Sequence, residues 1–511
     1  MMYLPSFSLL GNVWASITKA ACNINNNKKA CFIFFALLVN YYNFGRAPNV
    51  EKLLSLPKEL VESLKGLTGF DEASFLKVHE SAGQVTSVRL NPMKLAGAKK
   101  WEGIEPLVPV PWSSQGFYLN KRPSFTMDPV FHAGAYYVQE ASSMFLEQVI
   151  HHTVDLNNRI RVLDLCAAPG GKSTLIQSLI SEESLLVSNE VIRSRVITLR
   201  ENMIKWGGSN VFVTNNDPMD FSTLVNFFDV ILVDAPCSGS GLFRKDPEAI
   251  SEWSTDQVNT CSRRQERIIS DVWPALCKDG VFIYATCSYS KQENEDVLDW
   301  LMSAFPTDSI EIPVNPDWMV TKVITDKHKA FGYRFYPNHI EGEGFFIACL
   351  KKKGGSLFNY PKNKKTEFDR TGRKEQTLLD SWLKPQIPYA CFKRDDFVHA
   401  IPEALLHDLH TIQSTNFLKK AGIRLGKLID NDLIPDHELA MSRIAAPEIP
   451  AITLSKGEAI QFLRKEDLRL NISQKGWAMV RYLQQSLGWI KVLDKRINNY
   501  YPKEWRITKA Y

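Results

Sequence analysis

With 511 residues and a mass of 58.1 kDa, the chain is too long for a single ordinary core, so we expect two to four domains. Its 44% hydrophobic and 23% charged residues are typical of a soluble globular protein. The net charge of +5 is compatible with a nucleic-acid partner but does not by itself indicate one. The nine cysteines are widely spaced and include no CxxC pair, which argues against a disulfide framework or a structural zinc site, and we expect no bound metal.

The first 46 residues differ from the rest of the chain. They contain a ten-residue apolar run, Ala30–Val39, behind Lys28 and Lys29. A helix needs about 20 apolar residues to cross a bilayer, so this run is too short to span one. No small-residue cleavage site of a secretory signal is evident after it. We therefore interpret residues 1–46 as an extension, and we expect a cytoplasmic protein with reduced thiols and no membrane association.

The next hundred residues show a mixed pattern. Apolar residues recur at helical spacing from Leu53 to Phe75, and Val85–Leu90 alternates as a strand does. The stretch Tyr136–Met144 predicts the start of a helix that packs on the following domain. The region is therefore predicted to be mixed α/β.

From Arg159 onward, short apolar strands alternate with helical stretches, which is typical of a parallel sheet covered on both faces. The predicted strands are Val162–Leu165, Leu185–Asn189, Val211–Thr214, Asp229–Val233 and Val281–Tyr284. A last pair, Tyr333–Tyr336 and Phe345–Leu350, predicts an antiparallel hairpin at the sheet edge. The pattern predicts the α/β class.

A basic segment follows this alternation. Lys351–Glu375 carries nine basic and three acidic residues together with Gly354, Gly355 and Pro361, and we interpret it as a solvated linker. A separate region of about 135 residues then extends to the C-terminus, which is long enough for a domain of its own.

The most informative loop lies in Arg161–Thr174, with the sequence RVLDLCAAPGGKST. A strand runs into small residues and a helix follows, which places backbone amides where a ligand can approach them at the end of a parallel strand. The GGKST ending resembles a P-loop, but a Walker sequence requires glycine at the position of Cys166. A nucleotide triphosphatase is therefore disfavoured.

Two carboxylates favour a nucleoside cofactor instead. Glu190 ends the second predicted strand, 19 residues after Gly171, where a carboxylate can accept both ribose hydroxyls. Asp217 follows the third strand, within reach of an adenine amino group. A Rossmann dehydrogenase would place residues similarly, but its GxGxxG motif is absent.

Two cysteines follow neighbouring strands, Cys237 in Asp234–Gly239 (DAPCSG) and Cys287 in Thr286–Ser288 (TCS). If those strands are adjacent, their backbones lie about 4.8 Å apart, so both thiols can reach one substrate ring. Methylation at carbon-5 of cytosine needs a thiolate that adds to carbon-6, and a base that later removes the carbon-5 proton. Asp234 is placed to exchange a proton with the base edge, and Lys172 to polarise the ring or fix Asp234.

These segments resemble the RNA cytosine carbon-5 methyltransferases of the Sun/Nop family, specifically the branch that acts on bacterial small-subunit ribosomal RNA. The matching motifs, in family order, are SVRLNPMK (Ser87–Lys94), YYVQEASSM (Tyr136–Met144), DLCAAPGGKST (Asp164–Thr174), DAPCSGSGLFRKDPEA (Asp234–Ala249) and ATCSYSKQENE (Ala285–Glu295). The resemblance covers about Leu53 to Lys353 and implies a Rossmann-like methyltransferase core that uses S-adenosylmethionine.

The resemblance also implies roles for single residues. Cys287 would be the nucleophile, and Cys237 would assist breakdown of the adduct. DNA cytosine methyltransferases place the nucleophile on the proline-cysteine motif, which would be Cys237 here, but a second cysteine in a TCS turn is the feature of the RNA group. The residues implied for the cofactor site are Cys166, Ala167, Ala168, Pro169, Gly170, Gly171, Lys172, Glu190, Asp217 and Asp234.

Around this core the sequence predicts RNA-contacting flanks. The predicted divisions are an extension at 1–46, an RNA-binding annex at 47–150, the methyltransferase domain at 151–353, a basic linker at 354–375 and a C-terminal RNA-binding domain at 376–511. Arg244-Lys245-Asp246-Pro247 is predicted either to contact the target phosphate or to form a salt-bridged surface turn, and Arg263 and Arg264 to be surface charges.

The C-terminal tail Gly488–Tyr511 interleaves basic residues with aromatic ones, which suits phosphate contact and base stacking or, alternatively, a small core with a solvated rim. Its sequence LGWIKVLDKRINNYYPKEWRI also resembles the PUA-like domain of the small-subunit branch. The expected partner is therefore ribosomal RNA or the small ribosomal subunit, bound by a monomer. Methylation of transfer RNA, or a catalytically silent RNA-binding assembly factor, are the alternatives.

Overall fold

The computed structural model describes residues 55–81, 83–95, 107–356, 358, 369–384, 388–430 and 432–508. The predicted extension at 1–46, with its apolar run and two of the nine cysteines, lies outside the described residues. So does half of the predicted basic linker, at residues 357 and 359–368.

The N-terminal region contains a small antiparallel sheet with strand order β2-β3-β1-β4. Its elements are α1 (Lys58–Leu64), α2 (Glu72–Glu80), β1 (Thr86–Leu90), β2 (Leu107–Pro109), β3 (Gly116–Leu119), α3 (Pro129–His132) and β4 (Tyr136–Val138).

The helix predicted to start at Tyr136 is wrong over its first residues, which form β4. Two tyrosines and a valine favour extended backbone, and they pair with β1, where Val88 lies opposite Val138. A short 3₁₀ turn at Ser142–Phe145 precedes the helix that does follow.

The central sheet has the order β11-β12-β13-β9-β8-β5-β6-β7-β17, and β10 pairs with β13. Its strands are β5 (Arg161–Asp164), β6 (Leu185–Asn189), β7 (Val211–Thr214), β8 (Phe228–Asp234), β9 (Leu276–Thr286), β10 (Thr307–Ser309), β11 (Thr321–Ile324), β12 (Phe331–Phe335), β13 (Phe345–Lys352) and β17 (Leu418–Ala421). The five strands β7, β6, β5, β8 and β9 are parallel, as predicted. The predicted hairpin is the antiparallel pair β12–β13, but its predicted place at the sheet edge is wrong, because β12 also pairs with β11 and β13 with β9.

Helices cover both faces of this sheet. They are α4 (Leu146–Thr153), α5 (Gly171–Leu179), α6 (Arg193–Trp206), α7 (Ala249–Glu252), α8 (Thr255–Val272) and α9 (Glu295–Ala304). Neighbouring residues of β5 point into different hydrophobic cores on the two sides of the sheet. Leu163 belongs to the core on the side of α8 and α9, and Val162 belongs to the core on the side of α4, α5 and α6. The strands therefore read as continuous Val/Ile/Leu runs because neither face meets water.

The region after the predicted linker forms two further sheets. Its elements are β14 (Asp369–Arg370), α10 (Arg373–Asp380), β15 (Tyr389–Arg394), β16 (Phe397–Pro402), α11 (Leu406–Gln413), β18 (Ile423–Ile429), β19 (Asp432–Pro435), α12 (His437–Met441), β20 (Ala451–Thr453), α13 (Lys456–Arg464), β21 (Gly476–Tyr482), β22 (Gln485–Val492) and β23 (Ile497–Asn499). The sheet orders are β14-β15-β16-β18-β19 and β20-β21-β22-β23. Part of the segment predicted as linker is therefore structured, because β14 pairs with β15 and α10 begins at Arg373.

This region also shares the central sheet. Strand β17 pairs antiparallel with β7, so the central sheet is extended by a segment far along the chain.

The aromatic residues of the C-terminal tail divide into two groups: Trp489 and Tyr501 are buried in the core, whereas Tyr500 is partly exposed. Base stacking by Trp489 and Tyr501, as the tail composition suggested, is excluded by their burial.

Candidate active site

The predicted site residues follow the carboxyl ends of parallel strands. Because β5, β6, β7, β8 and β9 run in the same direction, the loops that leave them meet at one edge of the sheet, where ligands bind in open α/β folds. That edge holds the small-residue loop after β5, the two carboxylates after β6 and β7, and the two cysteines after β8 and β9.

The loop after β5 ends in the N-terminus of α5. Gly170 caps that helix with φ of +113°, a left-handed conformation that side chains rarely adopt, so glycine is required there. The loop is held from two sides: Ala167 N–H donates to Asn189 O across 2.8 Å, and Arg195 donates to Ala168 O across 2.6 Å. The first amides of α5 therefore form a fixed set of donors at the site.

The two carboxylates predicted for a nucleoside occupy different environments. Glu190 is buried; one oxygen accepts from Ile192 N–H at 2.9 Å, and the other lies 3.2 Å from Arg195 Nη1. Asp217 is about half exposed, caps the following 3₁₀ turn through Met219 N–H at 3.1 Å and lies 3.8 Å from Arg267. A carboxylate has about four lone-pair positions, so Glu190 retains acceptor capacity for two ribose hydroxyls.

Asn189 joins these loops and was not singled out from the sequence. Its Nδ2 donates to Leu165 O at 3.1 Å and to Asn216 O at 3.0 Å, and its Oδ1 accepts from Asn216 N–H at 3.0 Å. One buried amide thereby fixes the segments that precede Cys166 and Asp217. An asparagine at the end of an apolar strand is the signal that could have identified it.

Asp164 ends β5 and is fully buried. Its Oδ2 accepts from Ser173 Oγ at 2.6 Å, while its Oδ1 has no hydrogen-bond partner among the described residues. Burial raises the pKa of Asp164 to about 7. The unpartnered buried oxygen, the amides of α5 and the capacity of Glu190 together fit a polar nucleoside cofactor.

Lys172 and Asp234 form an ion pair at the centre of the site. Lys172 Nζ lies 2.7 Å from Asp234 Oδ2 and 5.1 Å from the centre of the Phe345 ring. Burial lowers the pKa of Lys172, but the charge and hydrogen bond of Asp234 outweigh it and the net shift is upward. The lysine is therefore charged and holds the carboxylate that ends β8.

Cys237 and Cys287 meet, as the sequence predicted for adjacent strands. Strands β8 and β9 pair with Asp234 opposite Ala285, and the two Sγ atoms lie 3.0 Å apart. A hydrogen bond to Cys287, together with burial, raises the pKa of Cys237 well above its usual value. Either thiol can donate in this contact, and the shift favours the protonated form of Cys237.

Gly241 allows the two cysteine-bearing loops to approach closely. Its N–H donates to Cys287 O at 2.8 Å, and an added Cβ would lie 2.4 Å from Gly344 O and 2.8 Å from Cys287 O. A side chain at this position would therefore push the loop of Cys287 away from the loop of Cys237.

Glu293 is a buried residue of the site to which sequence reasoning assigned no role, although it lies in the ATCSYSKQENE motif. Its carboxylate accepts from Ser238 Oγ and from Ser288 Oγ, each at 2.5 Å. These are the residues that directly follow Cys237 and Cys287. An acidic run before a helix is typical of a solvated first turn, so the pattern alone did not distinguish this carboxylate.

Of the two alternatives predicted for Arg244-Lys245-Asp246-Pro247, the phosphate contact is wrong for Arg244. Arg244 is buried, donates to Gly83 O and Gly342 O, and lies 3.7 Å from Glu343, so its guanidinium ties loops together and is not presented to a phosphate. Lys245 is exposed, and Arg263 and Arg264 are surface charges as predicted.

The remaining described cysteines are free thiols, and none of the described residues forms a cluster of metal ligands. In the part of the chain that the structure describes, no helix is long and apolar enough to cross a membrane.

The sheet topology and its strand-end site are those of the methyltransferase class. Three family models match successive parts of the chain: the N-terminal domain of 16S rRNA methyltransferase RsmF at residues 56–141, 16S rRNA methyltransferase RsmB/F at 151–351, and the methyltransferase RsmF PUA domain at 450–507. The last range contains β20 to β23.

Curated relatives extend the match over most of the chain. A ribosomal RNA small subunit methyltransferase F of Pectobacterium atrosepticum is 30% identical over 475 residues, covering 88% of this chain and 96% of the relative. The same-named protein of Escherichia coli (strain SMS-3-5 / SECEC) is 30% identical over 442 residues, covering 82% and 89%. The chain belongs to the ribosomal RNA small subunit methyltransferase F family.

Among solved structures, PH0851 superposes with a TM-score of 0.52 at 24% identity, covering 63% of this chain and 72% of that one. This similarity supports the fold.

Proposed function

We propose that this chain transfers a methyl group from S-adenosylmethionine to carbon-5 of a cytosine in ribosomal RNA of the small subunit, 16S RNA in bacteria. Cys287 forms the covalent adduct, and Cys237 assists its release. The observation that carries the proposal is the 3.0 Å separation of the two thiols at the ends of adjacent parallel strands, beside the Lys172–Asp234 pair.

The cofactor would lie on the loop Cys166–Lys172 at the N-terminus of α5. Glu190 would accept the ribose hydroxyls with its remaining lone pairs, and Asp217 would accept from the adenine amino group. Bound there, the cofactor would supply an electrophilic methyl group. The residues at this edge would hold it beside the two cysteines.

The chemistry begins at the thiols. The raised pKa of Cys237 favours its protonated form, so we assign the role of nucleophile to Cys287. Cys287 Sγ, as the thiolate, adds to carbon-6 of the cytosine, and the electron pair moves toward the ring nitrogen, where Asp234, protonated by exchange with solvent for this step, supplies a proton. Lys172 holds Asp234 in that position.

The adduct then resolves by elimination. Carbon-5, now nucleophilic, would take up the methyl group that the cofactor supplies, and the ring nitrogen returns its proton to Asp234. A water molecule that Cys237 orients removes the carbon-5 proton and carries it to solvent, which restores the double bond between carbon-5 and carbon-6, and the bond from carbon-6 to Cys287 Sγ breaks. Sulfur leaves with its electron pair, so the thiolate is regenerated.

Ribosomal RNA is the proposed substrate because the curated relatives carry that substrate in their names and the chain has flanking regions that match family models for both ends. The target base must leave its stack before two thiols can reach it, which is least costly in loops and at strand ends. We further propose the predicted division into annex, methyltransferase domain, linker and C-terminal domain as the functional organisation, with the linker ending before β14.

The test is transfer of labelled methyl from S-adenosylmethionine to purified RNA. The proposal predicts that the label enters small-subunit ribosomal RNA at one cytosine. Bisulfite sequencing of RNA from a strain that lacks the gene identifies this cytosine as the one that loses its methyl group. Label found only in transfer RNA would show that transfer RNA, and not ribosomal RNA, is the substrate. Binding to RNA without any methyl transfer would indicate an assembly factor.

A further inference from the structure

Glu293 contacts the residue after each cysteine. Its Oε2 accepts from the hydroxyls of Ser238 and Ser288 at 2.5 Å each, and its Oε1 accepts from Ser238 N–H at 2.8 Å. These three hydrogen bonds connect the loop after β8 to the loop after β9 through one side chain.

The carboxylate is itself fixed by rigid elements. Gln265, on α8, donates to Glu293 Oε1 at 3.2 Å and to Pro236 O at 3.0 Å. Tyr284, on β9, donates to the backbone oxygen of Glu293 at 2.6 Å. Glu293 is fully buried, so its position is set by the helix and the strand rather than by solvent.

We propose that Glu293 is a positioning residue that holds the two cysteine-bearing loops together and thereby sets the separation of Cys237 and Cys287. This inference deepens the proposed function and rests on it for the chemical roles of the two thiols. The separation itself is a property of the folded chain, so it can be measured without RNA or methyl donor.

A carboxylate is required because every group around it is a donor. Two hydroxyls, one backbone amide and one side-chain amide all point at the same side chain, and an ionised carboxyl group offers acceptors only. Glutamine has the same size but would present an NH₂ group to some of these donors. Glu293→Gln therefore tests the hydrogen bonding without removing volume.

The experiment measures disulfide formation between the two cysteines in the full chain. Diamide takes two electrons and two protons from the thiols, so one S–S bond forms and the oxidant is reduced to its hydrazine. The rate, followed by mass spectrometry of the linked peptides, depends on how often the sulfurs come within bonding distance. We expect Glu293→Gln to slow the reaction about tenfold, the cost of weakening one hydrogen bond to a charged group.

Serine variants provide the matched series. Ser238→Ala and Ser288→Ala each remove one hydroxyl from the carboxylate and should slow the reaction by a smaller factor. Ser290→Ala is the control, because its buried hydroxyl has no hydrogen-bond partner among the described residues and its rate should equal that of the parent chain. If Glu293→Gln fails to fold, the two serine variants decide the question.

Reaction at the parent rate in folded Glu293→Gln, or in both serine variants, overturns the proposal. A second readout is the methyl-transfer reaction, where a positioning role predicts a lower kcat with an unchanged KM for S-adenosylmethionine. If no methyl transfer occurs but diamide reactivity depends on Glu293, the proposed function fails and the positioning role stands. If the Glu293→Gln variant transfers methyl groups normally and reacts with diamide at the parent rate, the positioning role fails and the proposed function stands.

Discussion

Lys172 Nζ donates to Asp234 Oδ2 across 2.7 Å, and this ion pair joins loops that are 62 residues apart in sequence. One loop follows β5 and is proposed to hold the cofactor, and the other leads from β8 into the segment of Cys237. The pair therefore couples the proposed methyl-donor site to the thiol site, and loss of either partner should affect both.

Asp234→Asn removes the proton-exchanging group and should lower kcat by on the order of 100-fold, a typical contribution of one general acid–base residue. Lys172→Met should lower kcat as well, because the carboxylate loses the cation that orients it. Single-turnover methyl transfer measures both effects. Lys322→Met is a matched control at an exposed ion pair with Glu311 and should leave the rate unchanged. Parent-like rates in both site variants would contradict the proposed role of the pair.

The two thiols should give opposite phenotypes. Cys287→Ala removes the nucleophile, so we expect neither turnover nor a covalent complex with RNA. Cys237→Ala leaves adduct formation possible but impairs its breakdown, so the protein should accumulate on RNA as a complex that survives denaturing electrophoresis. Cys261→Ala, at a buried free thiol elsewhere, is the control. Accumulation with Cys287→Ala instead would require the roles to be exchanged.

Asp408 should be important for stability, because this buried side chain, on α11, accepts from two arginines of the methyltransferase core. Arg161 Nε lies 2.9 Å from Asp408 Oδ1, and Arg159 contacts Oδ2. Asp408→Ala removes the acceptor that the two arginines share and should destabilise the protein by about 1–3 kcal/mol, the cost of losing hydrogen bonds between charged groups. Thermal unfolding measures the loss, and Glu311→Ala at an exposed pair should cost less than about 1 kcal/mol. Equal melting temperatures for the two variants would refute the prediction.

His437 should make the protein acid-sensitive. Burial, with nearby Lys205, Lys94 and Arg424, lowers the pKa of His437 to about 3, whereas the unfolded chain has the ordinary value near 6.5. Between pH 6.5 and about pH 3, the unfolded chain therefore binds a proton at His437 that the folded protein does not bind. Unfolding free energy should therefore fall by about 1.4 kcal/mol per pH unit from this group as pH drops below 6.5.

His437→Leu removes the titrating group while keeping a similar volume, so the acid-side slope of stability should decrease by one proton. Denaturant titrations at pH 6.5, 5.5 and 4.5 give that slope. His407→Leu, at an exposed position, is the control and should retain the parent slope. An unchanged slope for His437→Leu would show that the imidazole becomes protonated in the folded protein.

Much of the central sheet could be predicted from local pattern. The predicted strands Leu185–Asn189 and Val211–Thr214 coincide with β6 and β7, because parallel strands buried on both faces leave uninterrupted apolar runs. The stretch from Tyr136 was interpreted as helix because its pairing partner, β1, lies almost 50 residues earlier. Strand pairing at such separation leaves no periodic signal in a short window.

The sequence by itself determined the family, the order of the elements and the two cysteines at strand ends, since each depends on a contiguous motif. Only the tertiary structure decided the separation of those thiols and the burial of Arg244, and it revealed β17 in the central sheet and the carboxylate of Glu293 between two serines. These features depend on groups brought together from distant segments, where burial and hydrogen-bond geometry, rather than residue type, determine what a side chain does.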